Sequence, residues 1–283
     1  MAKLFQLYDP LKDGEGVKKD GPKKKAFFEF FEIYFSSFWQ LMTAGLLSLP
    51  FSLLLLPSGV GTCGLTHITR NATRRRPYFA VGDFFDTIKK NWKQALPVSI
   101  INAVITGLIF FDLYFFFFLP KPEETGASSG VETFAVIGLA IAALALIVFS
   151  GMKYYMYMLM ITFDLPIKKL YKNSLNLTFI NFWRTLLVEA VLFVLYALPL
   201  AAFYFLGATA QMGQIMVILY LVGGLVFFPG FKSFLTSWIT FPVIKKIMID
   251  PYYEKNPDKD IEKRRELGIL ENDPEAEERI FTD

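Results

Sequence analysis

Residues 133–163 read TFAVIGLAIAALALIVFSGMKYYMYMLMITF, a run of 31 positions that carries one charge, Lys153. A soluble core does not absorb an apolar run of that length, whereas a bilayer core of about 30 Å needs roughly 20 helical residues. The stretch therefore predicts a membrane-crossing helix with residues to spare. At about 1.5 Å of rise per residue, Lys153 falls roughly 30 Å from the start of the run, at the inner headgroups. Residues 154–163 then continue past that level, so this helix tilts, kinks or projects beyond the bilayer.

Outward from this stretch, comparable apolar runs cover 97–119, 182–206 and 214–248. The last is also over-long and has Lys232 near the inner headgroups, where a lysine snorkels. Pro229-Gly230 within it is a credible helix break. The region 26–69 is apolar too, with Glu29 and Glu32 near its start, Pro50 and Pro57 in its middle, and Gly59, Gly61 and Gly64 behind them. It reads as a span over 27–49 followed by a short, Pro/Gly-broken return over 53–69, with a re-entrant segment as the alternative.

Charge decides the topology. Seven Lys and Arg lie in residues 1–25 and seven in residues 70–96, so both flanks of the first apolar region are expected on the cytoplasmic side. Six crossings then place 26 of the 29 basic residues inside, with Lys121 alone outside and Lys153 and Lys232 within apolar segments. The expected architecture is an all-α, polytopic membrane helical bundle with both termini cytoplasmic. A basic arm covers 1–25, the transmembrane helical domain 26–248, and an acidic tail 249–283 with twelve acids and six bases. Residues 81–94 and 167–181 mix apolar and basic residues at helical spacing, which predicts cytoplasmic amphipathic helices at the inner interface. No A-x-A-like cleavage site follows the first apolar run, so that span is expected to remain. The N-x-T matches at Asn71 and Asn176 fall on the cytoplasmic face and read as chance.

Composition excludes much chemistry. Among 283 residues, 54% hydrophobic and with 31 Phe, there is one cysteine, Cys63, and one histidine, His67. Neither a Cys/His metal centre nor a disulfide framework can be assembled from them. No catalytic residue, cofactor site or metal site is identified. Gly59 to Gly64 is not a phosphate loop, because no strand precedes it and no Lys closes it. Arg74, Arg75 and Arg76 read as topology determinants and anionic-lipid contacts rather than a nucleic-acid site. The pair Glu29 and Glu32 fits the positive end of a helix.

The candidate functional or structural charges are Asp112, Lys153 and Glu189. Asp112 lies deep in its span, where an ionised group costs at least about 2.5–3.5 kcal/mol and needs compensation. Lys153 and Glu189 are at depths that allow them to pair. The second candidate is the broken-helix segment Pro50, Pro57, Gly59, Gly61 and Gly64, because interrupted helices at membrane depth expose backbone to ligands. It serves equally to turn the chain or to let helices approach closely.

Several motifs together resemble the YesL-type family of bacterial integral membrane proteins, a domain family of unknown function. They are Leu49-Pro50, Pro57-Ser58-Gly59, Gly64-Leu65-Thr66, Arg70-Asn71, Asp83-Phe84-Phe85, Lys89-Lys90-Asn91-Trp92, Phe111-Asp112-Leu113-Tyr114, Asp164-Leu165-Pro166 and Phe228-Pro229-Gly230-Phe231. Their order over residues 26–248 carries the resemblance. It implies a bacterial plasma-membrane protein encoded beside carbohydrate-uptake systems, with a sugar-transporter permease or a sensor kinase as the implied partner. The family supplies no catalytic residues.

The leading functional expectation is thus a non-enzymatic accessory or scaffold protein associated with carbohydrate uptake, with the lipid bilayer as its surroundings. The alternative is a small autonomous transporter or channel that uses the broken segment 50–64 and Asp112. A membrane enzyme acting on lipid is weakest, for want of clustered acids or a nucleophile with a base.

Overall fold

The computed structural model describes residues 25–54, 56–118, 129–205 and 210–255, and every described element is a helix. In order these are α1 (Ala26–Ser36), α2 (Phe38–Leu53), α3 (Ser58–Thr73), α4 (Ala80–Phe117), α5 (Ser129–Thr162), α6 (Ile167–Ile180), α7 (Phe182–Phe205) and α8 (Ala210–Ile244). A π-helical turn at Lys245–Ile249 and the short α9 (Asp250–Lys255) follow. Most of the expected basic arm, the expected outer loop with Lys121, and the acidic tail from residue 256 lie outside the described residues.

Three described helices are long and apolar enough to cross a membrane: Ala80–Phe117, Gly130–Thr162 and Val222–Lys255. A fourth crossing is counted if α6 and the apolar part of α7, which meet at a bend of 88°, form one broken span. The 38 residues of α4 measure about 57 Å, and α5 and α8 are only slightly shorter, so each exceeds the roughly 30 Å hydrocarbon core.

Several boundaries differ from the sequence reading. Residues 81–94 do not form a separate amphipathic helix; they are the first turns of α4, which continues through Pro97 without a break. A proline inside a helix is tolerated in membrane bundles, where neighbouring groups can satisfy the freed carbonyl. Pro229-Gly230 likewise does not interrupt α8. At Gly230 an added Cβ would lie 2.8 Å from the Leu41 carbonyl oxygen, so this glycine lets α2 cross closely over α8. The first apolar region divides three ways, with a bend at Ser37 and a break at residues 54–57. Neither α2 nor α3, at 16 residues and about 24 Å each, matches the full hydrocarbon thickness.

Helix α3 organises the bundle. It packs against α2, α4, α5 and α8, and its own sequence is barely apolar. Val60 and Cys63 belong to a core shared with Val98, Met156, Leu159 and Ile244. Leu65, Ile68 and Ala72 belong to a second core with Phe30, Leu41, Phe84 and Phe234. Glycines make this crowding feasible. A Cβ at Gly59 would meet the Tyr157 hydroxyl at 2.7 Å, one at Gly61 would meet Phe51 Cβ at 2.7 Å, and one at Gly64 would meet the Phe84 ring at 2.7 Å.

The far end of α3 is closed by its backbone. Arg76 N–H donates to the Asn71 carbonyl at 3.1 Å and Arg75 N–H to Ala72 at 3.0 Å, with Arg75 at φ 53°. This is the Schellman pattern, built on an arginine where glycine is usual. Arg75 also reaches Glu29 at 3.6 Å and Glu32 at 4.0 Å, tying the start of α1 to the end of α3. Beyond α8, Ile249 and Tyr253 are buried against the first core, so ordered packing continues into the first residues expected of the tail.

Candidate functional site

Residues from α2, α3, α5, α7 and α8 line a half-open cavity of 360 Å³, within the usual range of small-molecule sites, about 300–1,000 Å³. Four of these helices supply its hydroxyl and ammonium groups, and α7 adds Tyr196. Ser48 and Ser52 come from the end of α2, and Ser58, Thr62 and Thr66 from consecutive turns of α3. Lys153, Tyr154 and Tyr157 come from α5, and Lys232, Ser233, Thr236, Ser237 and Thr240 from α8. The hydroxyls share a spacing. Positions 58, 62 and 66 lie one helical turn apart, and 233, 236, 237 and 240 make one face of α8.

Most of these hydroxyls already spend their hydrogen. Thr62 donates to the Ser58 carbonyl at 2.8 Å, Thr66 to Thr62 at 2.7 Å, Thr236 to Ser233 at 2.9 Å and Thr240 to Thr236 at 2.8 Å. Ser48 and Ser52 donate to carbonyls of α2 at 2.7 and 3.1 Å. A hydroxyl oxygen keeps acceptor capacity after donating, so the wall offers acceptors. Thr69 lies behind it and bonds Ser233 at 3.0 Å and Ser237 at 2.8 Å, joining α3 to α8.

The two lysines are the cationic donors of the site. Lys153 Nζ stands 5.3 Å from the centre of the Phe149 ring, and Lys232 Nζ 5.8 Å from that of Tyr154, both at cation–π range. Lys232 is surrounded by other residues, yet its side chain keeps accessible surface because it lines the cavity. Glu189, on α7, is close enough to interact electrostatically with both ammonium groups and lies within hydrogen-bonding reach of Tyr154. Its Oε1 is buried without a hydrogen-bond partner. Among the described residues no direct ion pair joins Lys153 to Glu189, so the charges share a neighbourhood rather than a contact.

Beside the cavity a polar chain links four helices. Tyr171 of α6 donates to Asn102 Oδ1 at 2.8 Å, Asn102 Nδ2 donates to the Tyr157 hydroxyl at 3.3 Å, and Gly59 N–H donates to Ser99 Oγ at 2.8 Å. These bonds fix the start of α3 to α4, and α4 in turn to α5 and α6.

The structure distributes the residues singled out in the sequence. Lys153 lines the cavity and Glu189 adjoins it. Pro50 lies within α2 and Pro57 precedes α3, so the break between them shapes one rim, through Ser52 and Ser58. Gly59, Gly61 and Gly64 sit in the helical part of α3 and make room for neighbouring side chains. Asp112 is exposed near the far end of α4 and does not line the cavity. The Ser/Thr faces of α3 and α8 escaped the sequence reading, although the spacing 233, 236, 237, 240 in an otherwise apolar run was a signal for them.

A second cavity, of 720 Å³, opens on the other side of α3 between its last turns and the start of α4. Arg70 spans toward α5, donating from Nη1 to Thr162 Oγ1 at 3.2 Å and to the Ile161 carbonyl at 3.4 Å. The His67 ring is gripped by Arg70 Nη2 at 3.3 Å and by the Asn71 side-chain amide at 3.1 Å. Arg74, just past the helix, lies over the Phe241 ring at 4.9 Å. Burial, and then the guanidinium groups of Arg76 and Arg70, pull its pKa down to about 9, so it stays cationic at neutral pH.

No family model, no curated protein and no solved structure matches this chain.

Proposed function

We propose that the chain is a small membrane transport protein whose solute site is the hydroxyl-lined cavity between α3, α5 and α8. The observation that carries this reading is that the broken α2–α3 segment brings Ser52, Ser58 and Thr62 to the same cavity as Lys153 and Lys232. Hydroxyl and ammonium groups gathered on one cavity in an otherwise apolar bundle suit the entry of a polar solute. Asp112 has no part in the site.

In this reading α4, α5, α7 and α8 cross the plasma membrane, and α2–α3 forms a re-entrant hairpin. The number of crossings stays even, which suits the excess of basic residues before α1 and after α3. The right-angled α6 lies along the inner interface, and both termini are cytoplasmic.

Accessibility of the cavity tests the proposal without knowledge of the solute. Thr62→Cys, in a Cys63→Ala background, is treated with a membrane-impermeant maleimide in right-side-out and in inverted vesicles. Labelling from both faces is expected of a transporter; labelling from one face or from neither overturns it. Ser52→Cys repeats the measurement should Thr62→Cys fail to fold. The accessory reading, in which the protein serves a carbohydrate permease or a sensor kinase, takes its place if labelling is one-sided and such a partner co-purifies in stoichiometric amount from native membranes.

A further inference from the structure

The charges around the cavity do not cancel. Lys153 and Lys232 line it, Glu189 is the single carboxylate among its described neighbours, and residues 190–231 contain no charged side chain at all. Two ammonium groups and one carboxylate leave one positive charge uncompensated in a space walled by apolar helices. Lys153 is half-buried and Lys232 keeps an accessible side chain at the cavity, so the excess positive charge faces that space, where a bound counter-charge of the same magnitude compensates it.

The wall adds a second requirement. Thr62, Thr66, Thr236 and Thr240 have committed their hydrogens to carbonyls of their own helices. Thr69 has carbonyl acceptors at Leu65 and Thr66, 3.0 and 3.1 Å away, so its oxygen is left to receive hydrogens from Ser233 and Ser237. These two serines then also present lone pairs to the cavity. Lysines and tyrosines aside, the Ser/Thr faces present acceptors, so a ligand that fits those faces brings hydrogen-bond donors. A bare carboxylate brings none, and a neutral polyol leaves the lysines uncompensated.

We infer that the cavity binds a hydroxylated monoanion, whose single negative charge lies between Lys153 and Lys232 and whose hydroxyl groups donate to the Ser/Thr faces of α3 and α8. Two sources share this chemistry: a soluble hydroxylated carboxylate, and the headgroup of a glycerol-bearing anionic phospholipid. The inference rests on the proposed transport site for its location, but not on whether the site is open to both faces.

The test uses the full chain, purified in detergent and reconstituted in neutral phosphatidylcholine nanodiscs. Binding is followed calorimetrically and by protection of Thr62→Cys from maleimide. The probes are gluconate, butyrate, sorbitol and glucose 6-phosphate, with nanodiscs containing phosphatidylglycerol as the lipid arm. Gluconate is expected to bind at least tenfold more tightly than butyrate, sorbitol or glucose 6-phosphate if the soluble source is right. Protection by phosphatidylglycerol, with none by gluconate, assigns the same chemistry to the lipid. Lys153→Gln and Lys232→Gln are each expected to weaken the effective ligand at least tenfold.

Equal affinity for sorbitol and gluconate, tighter binding of glucose 6-phosphate, or protection by neither gluconate nor phosphatidylglycerol overturns the inference. The wild-type ligand series decides this by itself, so a variant that fails to fold leaves the test intact. Labelling from both faces without protection rejects the ligand class and leaves the transport reading standing. Protection with one-sided labelling rejects transport and keeps the ligand class.

Discussion

The hydroxyl oxygen of Thr69 lies 2.8 Å from that of Ser237, across the contact between α3 and α8 and 168 positions away in the chain. With Ser233 at 3.0 Å from the same atom, Thr69 is the polar fastening of α3 to α8, as Gly59 with Ser99 is to α4 and Arg70 with Thr162 to α5.

Thr69→Val keeps the shape and removes the oxygen, leaving Ser233 and Ser237 to find other partners. Interhelical hydrogen bonds in membrane bundles average about 0.6 kcal/mol and reach about 1.7 kcal/mol. A loss of about 1 kcal/mol is expected, read as a lowered unfolding midpoint in detergent. In a cycle with Ser237→Ala the two losses should be less than additive; additivity within about 0.3 kcal/mol, the usual behaviour of independent sites, would show that the bond contributes nothing.

Two glycines should respond to alanine with opposite signs. At Gly64 the new Cβ would lie 2.7 Å from the buried ring of Phe84, and overpacking of this kind costs about 1–3 kcal/mol. At Gly107, in α4, no atom lies within 4 Å of the added Cβ, so the better helix propensity of alanine, about 1 kcal/mol, is felt alone. Gly64→Ala is therefore expected to lower thermal stability and Gly107→Ala to raise it, with Phe84→Leu restoring part of the first loss. Equal effects at the two sites would contradict the close approach of α3 to α4.

Arg75 sets a backbone penalty against weak ion pairs. A non-glycine residue in the left-handed region costs roughly 1–2 kcal/mol, while exposed pairs such as Arg75 with Glu29 and Glu32 return only about 0–1 kcal/mol. Arg75→Gly is expected to stabilise the protein by up to about 1 kcal/mol, and Arg75→Ala, which keeps the strain and loses the pairs, to destabilise it. The order Gly, Arg, Ala in melting temperature is the measurement; a glycine variant less stable than wild type would give the ion pairs the larger share.

How far the sequence was legible depended on the kind of signal. The run around Lys153 announced α5 because hydropathy over 30 residues has no competing explanation. The unity of α4 was hidden by Pro97, since proline favours a helix start, and only packing shows that the helix passes through it. Asp112 drew attention as a lone charge in an apolar run, yet it stands exposed near the end of α4. The cavity itself is written in serines and threonines, which weigh little on any hydropathy scale. Their spacing on α8 was visible, but its partner face on α3 is a long-range contact that no local pattern encodes.

Asp112→Asn should therefore leave the cavity untouched. Maleimide labelling of Thr62→Cys, and its protection by the effective ligand, are expected to stay within twofold of the parent. A larger change would place Asp112 in the solute path in spite of its position.

Glu189→Gln reverses the selectivity of the site if charge compensation governs it. The parent cavity has two ammonium groups and one adjoining carboxylate, and so one net positive charge to neutralise. With glutamine the shape is retained and two positive charges face the ligand. A phosphate monoester carries about −1.5 to −2 at neutral pH, which then matches better than a monocarboxylate. The variant is expected to gain affinity for glucose 6-phosphate and to change little or lose for gluconate, so that the ratio of the two affinities shifts by at least tenfold. Calorimetry on parent and variant, in the same phosphatidylcholine nanodiscs, reads that ratio directly. An unchanged ratio would mean that Glu189 is neutral in the parent, and the single charge assigned to the ligand would have to be revised upward.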